Sequence, residues 1–214
     1  MGRAGSARCR RTGALQPPGV TVALRELALH LLDIAENSIA AGAKTVRLTV
    51  EEDTRTDRLR LCVEDDGRGM DEKMAALVID PFVTTRTTRK VGLGIPLLKA
   101  AAEACDGWLT ITSAVGQGTR LECEFRHSHI DRMPLGDLPG TILALVVGAP
   151  QVHWVYRHRV NEAEFVFDDQ PIKDELGEVP LTEPEVLRYV REMLQQGVAD
   201  VQAALTTTNA VRFI

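Results

Sequence analysis

The chain has 214 residues, 44% of them apolar and 26% charged, with a formal charge of −5, an ordinary balance for a globular protein that excludes wholesale disorder. That acidity disfavours nucleic-acid binding by the chain as a whole, and the longest uncharged apolar run, 138–152, is broken by Pro139, Gly140, Gly148 and Pro150, too short to cross a bilayer. Cys9, Cys62, Cys105 and Cys123 are far apart with no C-x-x-C spacing, which suggests neither a disulfide framework nor a thiolate zinc site; with no charged-then-apolar leader, a cytoplasmic location is expected.

Residues 1–21 hold Arg3, Arg8, Arg10 and Arg11 among glycines and prolines, before the first acidic residue at Glu26; a disordered basic extension is expected there. An amphipathic helix follows over 23–41, with Leu24, Leu27, Leu31, Ile34, Ala35 and Ser38 at helical spacing and Gly42 as its stop. Two alternating runs, 45–51 and 58–65, read as strands joined by a polar hairpin loop. A short helix starts near Asp71, which is placed to cap it. Residues 81–90 form a connector rich in Thr and basic side chains, and a helix over 95–105 leads to strands at 108–113 and 119–126. This order predicts one sheet covered on one face by helices, a two-layer α/β sandwich over residues 22–127.

Beyond Arg126 the pattern predicts a helix over 137–147, strands at 152–160 and 164–168, and a long amphipathic helix over 183–205. Residues 128–214 are therefore read as a small α/β C-terminal unit. The His127–Asp131 stretch, with His153 and His158, offers scattered metal-ligand types but no ligand set of recognisable spacing.

Four patches in the first unit carry chemistry. Asp33 and Asn37 lie four residues apart on one helical face, with His30 further along it; an amide oxygen beside a carboxylate suits Mg²⁺. Glu36 turns about 100° off that stripe and ranks second as a carboxylate for the chemistry. Asp65-Asp66-Gly67-Arg68-Gly69 ends a strand, where a carboxylate can accept from an exocyclic amine and glycines let backbone approach a flat ring. Gly92-Leu93-Gly94 opens a helix after the basic connector, an arrangement suited to a polyphosphate. Gly116-Gln117-Gly118-Thr119 is the fourth.

Taken together with Pro81-Phe82, these patches resemble in order and spacing the boxes of the GHKL superfamily, whose Bergerat ATP-binding fold serves gyrase, MutL and sensor histidine kinases. The glycine boxes and short lid look most like histidine kinases and anti-sigma-factor kinases. The resemblance implies that Asn37 coordinates Mg²⁺ on the phosphates and that Asp65 binds the adenine amine, with Gly67, Gly69, Met70, Phe82 and Thr119 around it. It implies that Gly92, Leu93 and Gly94, with Arg89, hold the phosphates. Asp33, standing where hydrolysing relatives and anti-sigma kinases carry Glu, would be the base, helped by Arg86 and Lys90. More loosely, the whole chain is similar to stand-alone ATP-binding proteins encoded beside bacterial iron-hydrogenase genes.

The expected function is an ATP·Mg²⁺-binding regulatory protein that phosphorylates a partner in trans. The alternatives are an ATP-driven conformational switch with slow hydrolysis and a nucleotide-binding module without turnover. Expected partners are ATP and an unidentified regulatory or redox-related protein, with neither nucleic acid nor membrane, and with a homodimer possible.

Overall fold

A computed structural model describes residues 26–79 and 94–211, with side chains to Leu205; the expected basic extension and the connector over 81–90 lie outside the described residues. Helix α1 (Leu27–Ala40) buries Leu27, Leu31, Ile34, Ala35 and Ser38 along one stripe and ends where Gly42 takes φ +78°, a conformation that costs glycine little. Strands β1 (Thr45–Asp53) and β2 (Arg58–Asp65) form an antiparallel hairpin, followed by α2 (Glu72–Ile79), whose first turn is capped by Asp71 Oδ1 accepting from the Met74 amide at 2.7 Å. Helix α3 (Gly94–Ala104), β3 (Trp108–Ala114) and β4 (Gly118–Arg126) complete the first half.

The second half is α4 (Leu138–Gly148), β5 (His153–Val160), β6 (Ala163–Asp168), α5 (Gln170–Leu176) and α6 (Pro184–Val211). Asp137 caps α4 through the Gly140 amide at 2.9 Å. The sequence did not signal α5, and α6 runs past the expected end at 205.

The six strands form one mixed sheet in the order β3-β4-β2-β1-β5-β6, antiparallel throughout except for the parallel pair β1–β5. Alternation along β1 sends Val46, Leu48 and Val50 to the helices, and Arg47, Thr49 and Glu51 to the open face. On that face Arg60 pairs with Glu124 at 2.9 Å and Arg159 with Glu51 at 3.2 Å, contacts worth little each but enough to keep the face polar. Helices on one side only give the two-layer α/β architecture.

The change of pattern at residue 128 coincides with no break in this sheet. Strand β5 pairs with β1 from Thr45–His153 to Glu52–Val160, and Trp154 and Tyr156 lie fully buried in one core with Leu27, Leu48 and Leu98. A buried polar cluster joins the halves as well. Glu52 on β1 accepts from His127 Nε2 at 2.9 Å and His158 Nε2 at 3.1 Å, while Tyr156 Oη lies 3.1 Å from His158 Nδ1. Burial works to raise the Glu52 carboxyl, but the hydrogen bonds and charge of the two histidines outweigh it and hold it at about 2. His127 and His158 are thus carboxylate partners, and no cluster of metal ligands forms around them among the described residues.

Candidate nucleotide site

Register builds the site first. Asp65 stands opposite Thr119 in the β2–β4 ladder, and Thr119 opposite Ser113 in the β3–β4 ladder. Opposed residues share a face, so three polar side chains form one row across the strand ends, on the side where α1 packs. The Asp65 carboxylate is held at both oxygens: Oδ2 accepts from Ser38 Oγ at 2.7 Å and Oδ1 from the Gly67 amide at 2.9 Å.

The glycines of this loop are needed for close approach. Gly69 has φ +63°, and a Cβ there would fall 1.9 Å from the Ala114 carbonyl oxygen. At Gly118, with φ +82°, a Cβ would fall 1.9 Å from the Asp65 carbonyl oxygen. The Gly116 amide donates to the Arg68 carbonyl at 2.8 Å, strapping the turn between β3 and β4 against the loop after β2. Asp66 faces away from this row and accepts from the Lys44 and Thr45 amides at 2.6 and 2.9 Å, fixing the α1–β1 turn.

Between α1, α3 and this end of the sheet lies a cavity of about 320 Å³. Its walls are apolar where Ile34, Val63, Ile95, Ile111 and Leu121 meet, and Asn37, Ser38, Asp65, Gly69, Met70 and Thr119 also line it. A few polar groups set in an apolar slot is the usual composition of a small-molecule site. Another cavity, of about 340 Å³, opens at the far end of the β1–β2 hairpin. There Arg55, Arg58, Arg60 and Arg159 are matched by Asp53, Glu162, Glu124 and Glu51 in ion pairs, and among the described residues no apolar side chain lines it.

The described residues among those singled out in the sequence therefore gather at one place. Asn37, Asp65, Gly69, Met70 and Thr119 line the cavity, and Gly67 abuts it through Asp65 and Ala41. Asp33 is half-buried one turn before Asn37, and its carboxylate lies against the start of α3: a Cβ on Gly94 would fall 1.7 Å from Oδ2. Glu36 is exposed on the neighbouring face of α1. Phe82, Arg86, Arg89, Lys90, Gly92 and Leu93 lie outside the described residues.

His30, placed by the sequence on the same helical face as Asp33 and Asn37, is 2% exposed. Burial pulls its pKa below the ordinary histidine value, against the opposing effects of the Gly94 backbone and the Asp33 charge. Sequence reasoning gave no site role to Ser38 or Ser113. The signal for Ser38 was its adjacency to Asn37 on the buried stripe, and that for Ser113 its place opposite Thr119, which only the strand register reveals.

The model of the family described as histidine kinase-, DNA gyrase B-, and HSP90-like ATPase matches residues 19–129, just over half of the chain. The chain belongs to this family. Among curated family relatives, the sensor protein kinase FleS of Pseudomonas aeruginosa is 44% identical over 89 residues, 42% of this chain and 22% of its own length. The Non-motile and phage-resistance protein of Caulobacter vibrioides is 30% identical over 126 residues, 55% of this chain and 15% of its own. The chain thus spans less than a quarter of either relative. A crystal structure of full-length ShkA in complex with AMPPNP is 28% identical, with a TM-score of 0.38, covering 45% of this chain and 20% of that one. Among the described residues, no helix is long and apolar enough to cross a membrane.

Proposed function

We propose that the chain binds ATP as its Mg²⁺ complex in the cavity between α1, α3 and the end of β2, and passes the γ-phosphoryl group to a partner protein in trans. The observation that carries this reading is the Asp65 carboxylate, held at both oxygens beside an apolar slot. That arrangement suits a flat ring bearing an amino group. Membership of the family supports the same ligand.

The residues present fit the metal. Asn37 offers an exposed amide oxygen at the cavity wall with the Asp33 carboxylate one turn away, and Mg²⁺ is commonly held by one or two protein oxygens together with phosphates and water. Bound there, Mg²⁺ would neutralise charge on the phosphates. Asn37 holds and orients the triphosphate, and the apolar walls exclude water from the ring. Asp33, near the start of α3, accepts the proton from a partner hydroxyl or imidazole as that group bonds to the γ-phosphorus; the bond to the bridging oxygen breaks and ADP leaves. Arg86, Arg89 and Lys90 would offset charge on the transferring group.

Calorimetric titration with ATP·Mg²⁺ tests the site. Asp65→Asn is expected to abolish binding, because the new amide turns an N–H toward the ring's amine. Asn37→Ala is expected to remove mainly the Mg²⁺ dependence. Two variants that bind like the parent would refute the assignment. Radiolabelled ATP incubated with the chain and proteins encoded beside it tests transfer, and label in no partner would refute the kinase reading while leaving the binding site standing.

A further inference from the structure

The two polar side chains at the ring end of the cavity are constrained by neighbours, and a count of protons shows in what sense. Ser113 has one hydroxyl proton. The Gly118 carbonyl, 2.8 Å from Ser113 Oγ, can only accept and therefore takes it. The Met70 amide donates to the same Oγ at 2.8 Å. Thr119 Oγ1 lies 3.0 Å from Ser113 Oγ, so Thr119 must be the donor in that contact and keeps only lone pairs for anything else.

Ser38 does the same for Asp65. Its single proton goes to Oδ2 at 2.7 Å, the Ile34 carbonyl at 3.4 Å being the poorer acceptor for it. With Oδ1 held by the Gly67 amide, the carboxylate cannot swing about its terminal bond without losing two donors. A ligand entering this end of the cavity meets acceptors from both Asp65 and Thr119, in one fixed orientation.

We propose that Ser38 and Ser113 are positioning residues that fix Asp65 and Thr119 as a rigid pair of acceptors, so that preference for a 6-amino over a 6-oxo purine depends on two hydroxyl protons donated away from the ligand. This rests on reading the cavity as the nucleotide site. A 6-amino purine offers N–H at the position facing Asp65, whereas a 6-oxo purine sets a carbonyl oxygen against a carboxylate. Mismatches of that kind discriminate strongly only while the protein group is held still. Without the Ser38 hydroxyl the carboxylate keeps one anchor and can turn, or recruit a water that donates to a carbonyl ligand. The penalty against the oxo ring then falls.

The readout is a ratio, which a merely structural role would not move. The full chain is titrated with Mg²⁺ complexes of adenosine diphosphate and inosine diphosphate, first unchanged and then as Ser38→Ala, Ser38→Thr and Ser113→Ala. Alanine suits a helix interior at least as well as serine, so Ser38→Ala keeps its fold. It is expected to weaken the adenosine ligand about tenfold and the inosine ligand by no more than about twofold, the loss of one hydrogen bond to a charged group. Ser38→Thr, which restores the hydroxyl, recovers most of the preference. Ser113→Ala narrows it in the same direction.

An unchanged ratio in Ser38→Ala, or both ligands weakened equally, overturns the positioning role. If the unchanged chain binds neither ligand, the nucleotide reading itself fails, and that is seen before any serine is altered.

Discussion

Replacing Glu52 by Gln tests whether the buried cluster joining β1, β5 and the end of β4 contributes substantial stability. The carboxyl, 4% exposed, is held at about 2 against an ordinary 4.5. Each tenfold in proton affinity is about 1.4 kcal/mol, so the ionised form contributes about 3 kcal/mol at neutral pH. The pKa is depressed in the folded state, so this contribution is complete above pH 4.5 and is lost as pH falls from there toward 2. A glutamine of the same shape carries no charge and sets its own N–H₂ against one of the two histidine donors, leaving a buried donor unsatisfied. Urea unfolding should therefore show Glu52→Gln less stable by about 3 kcal/mol at pH 7, or about 6–12 °C in Tm for a chain of this size. The gap should close steadily between pH 4.5 and pH 2, since the parent gives up there what the variant never had. A difference below about 1 kcal/mol at pH 7 would refute the reasoning. So would a gap that stays constant down to pH 3.

Gly94→Ala separates chemistry from folding: its Cβ would fall 1.7 Å from Asp33 Oδ2, the end of a side chain that can rotate away. Thermal stability should change little, since Gly94 is the first residue of α3 and not in its interior, while any transfer or hydrolysis that needs Asp33 drops; unchanged turnover in a folded variant would remove Asp33 from the chemistry. Lys173→Met should cost about 3–5 kcal/mol by urea unfolding, because Lys173 Nζ lies 2.7 Å from Oδ2 of Asp169, a fully buried carboxyl whose pKa burial pushes up. Adding Asp169→Asn to that variant should recover much of the loss, and failure to recover any would mean that Lys173 acts by packing alone.

What the sequence made legible is what the chain encodes locally. The stripe of Leu27, Leu31, Ile34 and Ser38, the stop at Gly42 and the cap at Asp71 each need only a few neighbouring residues, and α1 and α2 form where those signals stand. The residues of the candidate site stand in the sequence for a similar reason. Asn37, Asp65, Gly69 and Thr119 belong to short runs whose composition announces a turn, a close approach or a ligand, and the family's spacing ties the runs together. Helix α5 was not legible, because its seven residues begin at Gln170-Pro171 and bury no full stripe, leaving no periodicity to read.

Pairing partners were the larger loss. An alternating run says that a strand has a buried face, but not which strand lies beside it. The runs at 152–160 and 164–168 fit a separate hairpin as well as they fit the edge of an existing sheet. Long-range chemistry decides between them: the His153 amide donates to the Lys44 carbonyl at 2.7 Å, and Glu52 takes His158 from across the β1–β5 ladder. The same turn at Lys44 and Thr45 is clasped from the other side by Asp66, next to Asp65 in the cavity wall. The backbone that ends α1 and starts β1 is thus fixed between the loop of the candidate site and the first residue of β5. The second half of the chain is structurally part of the candidate site's foundation, although none of its described residues lines the cavity.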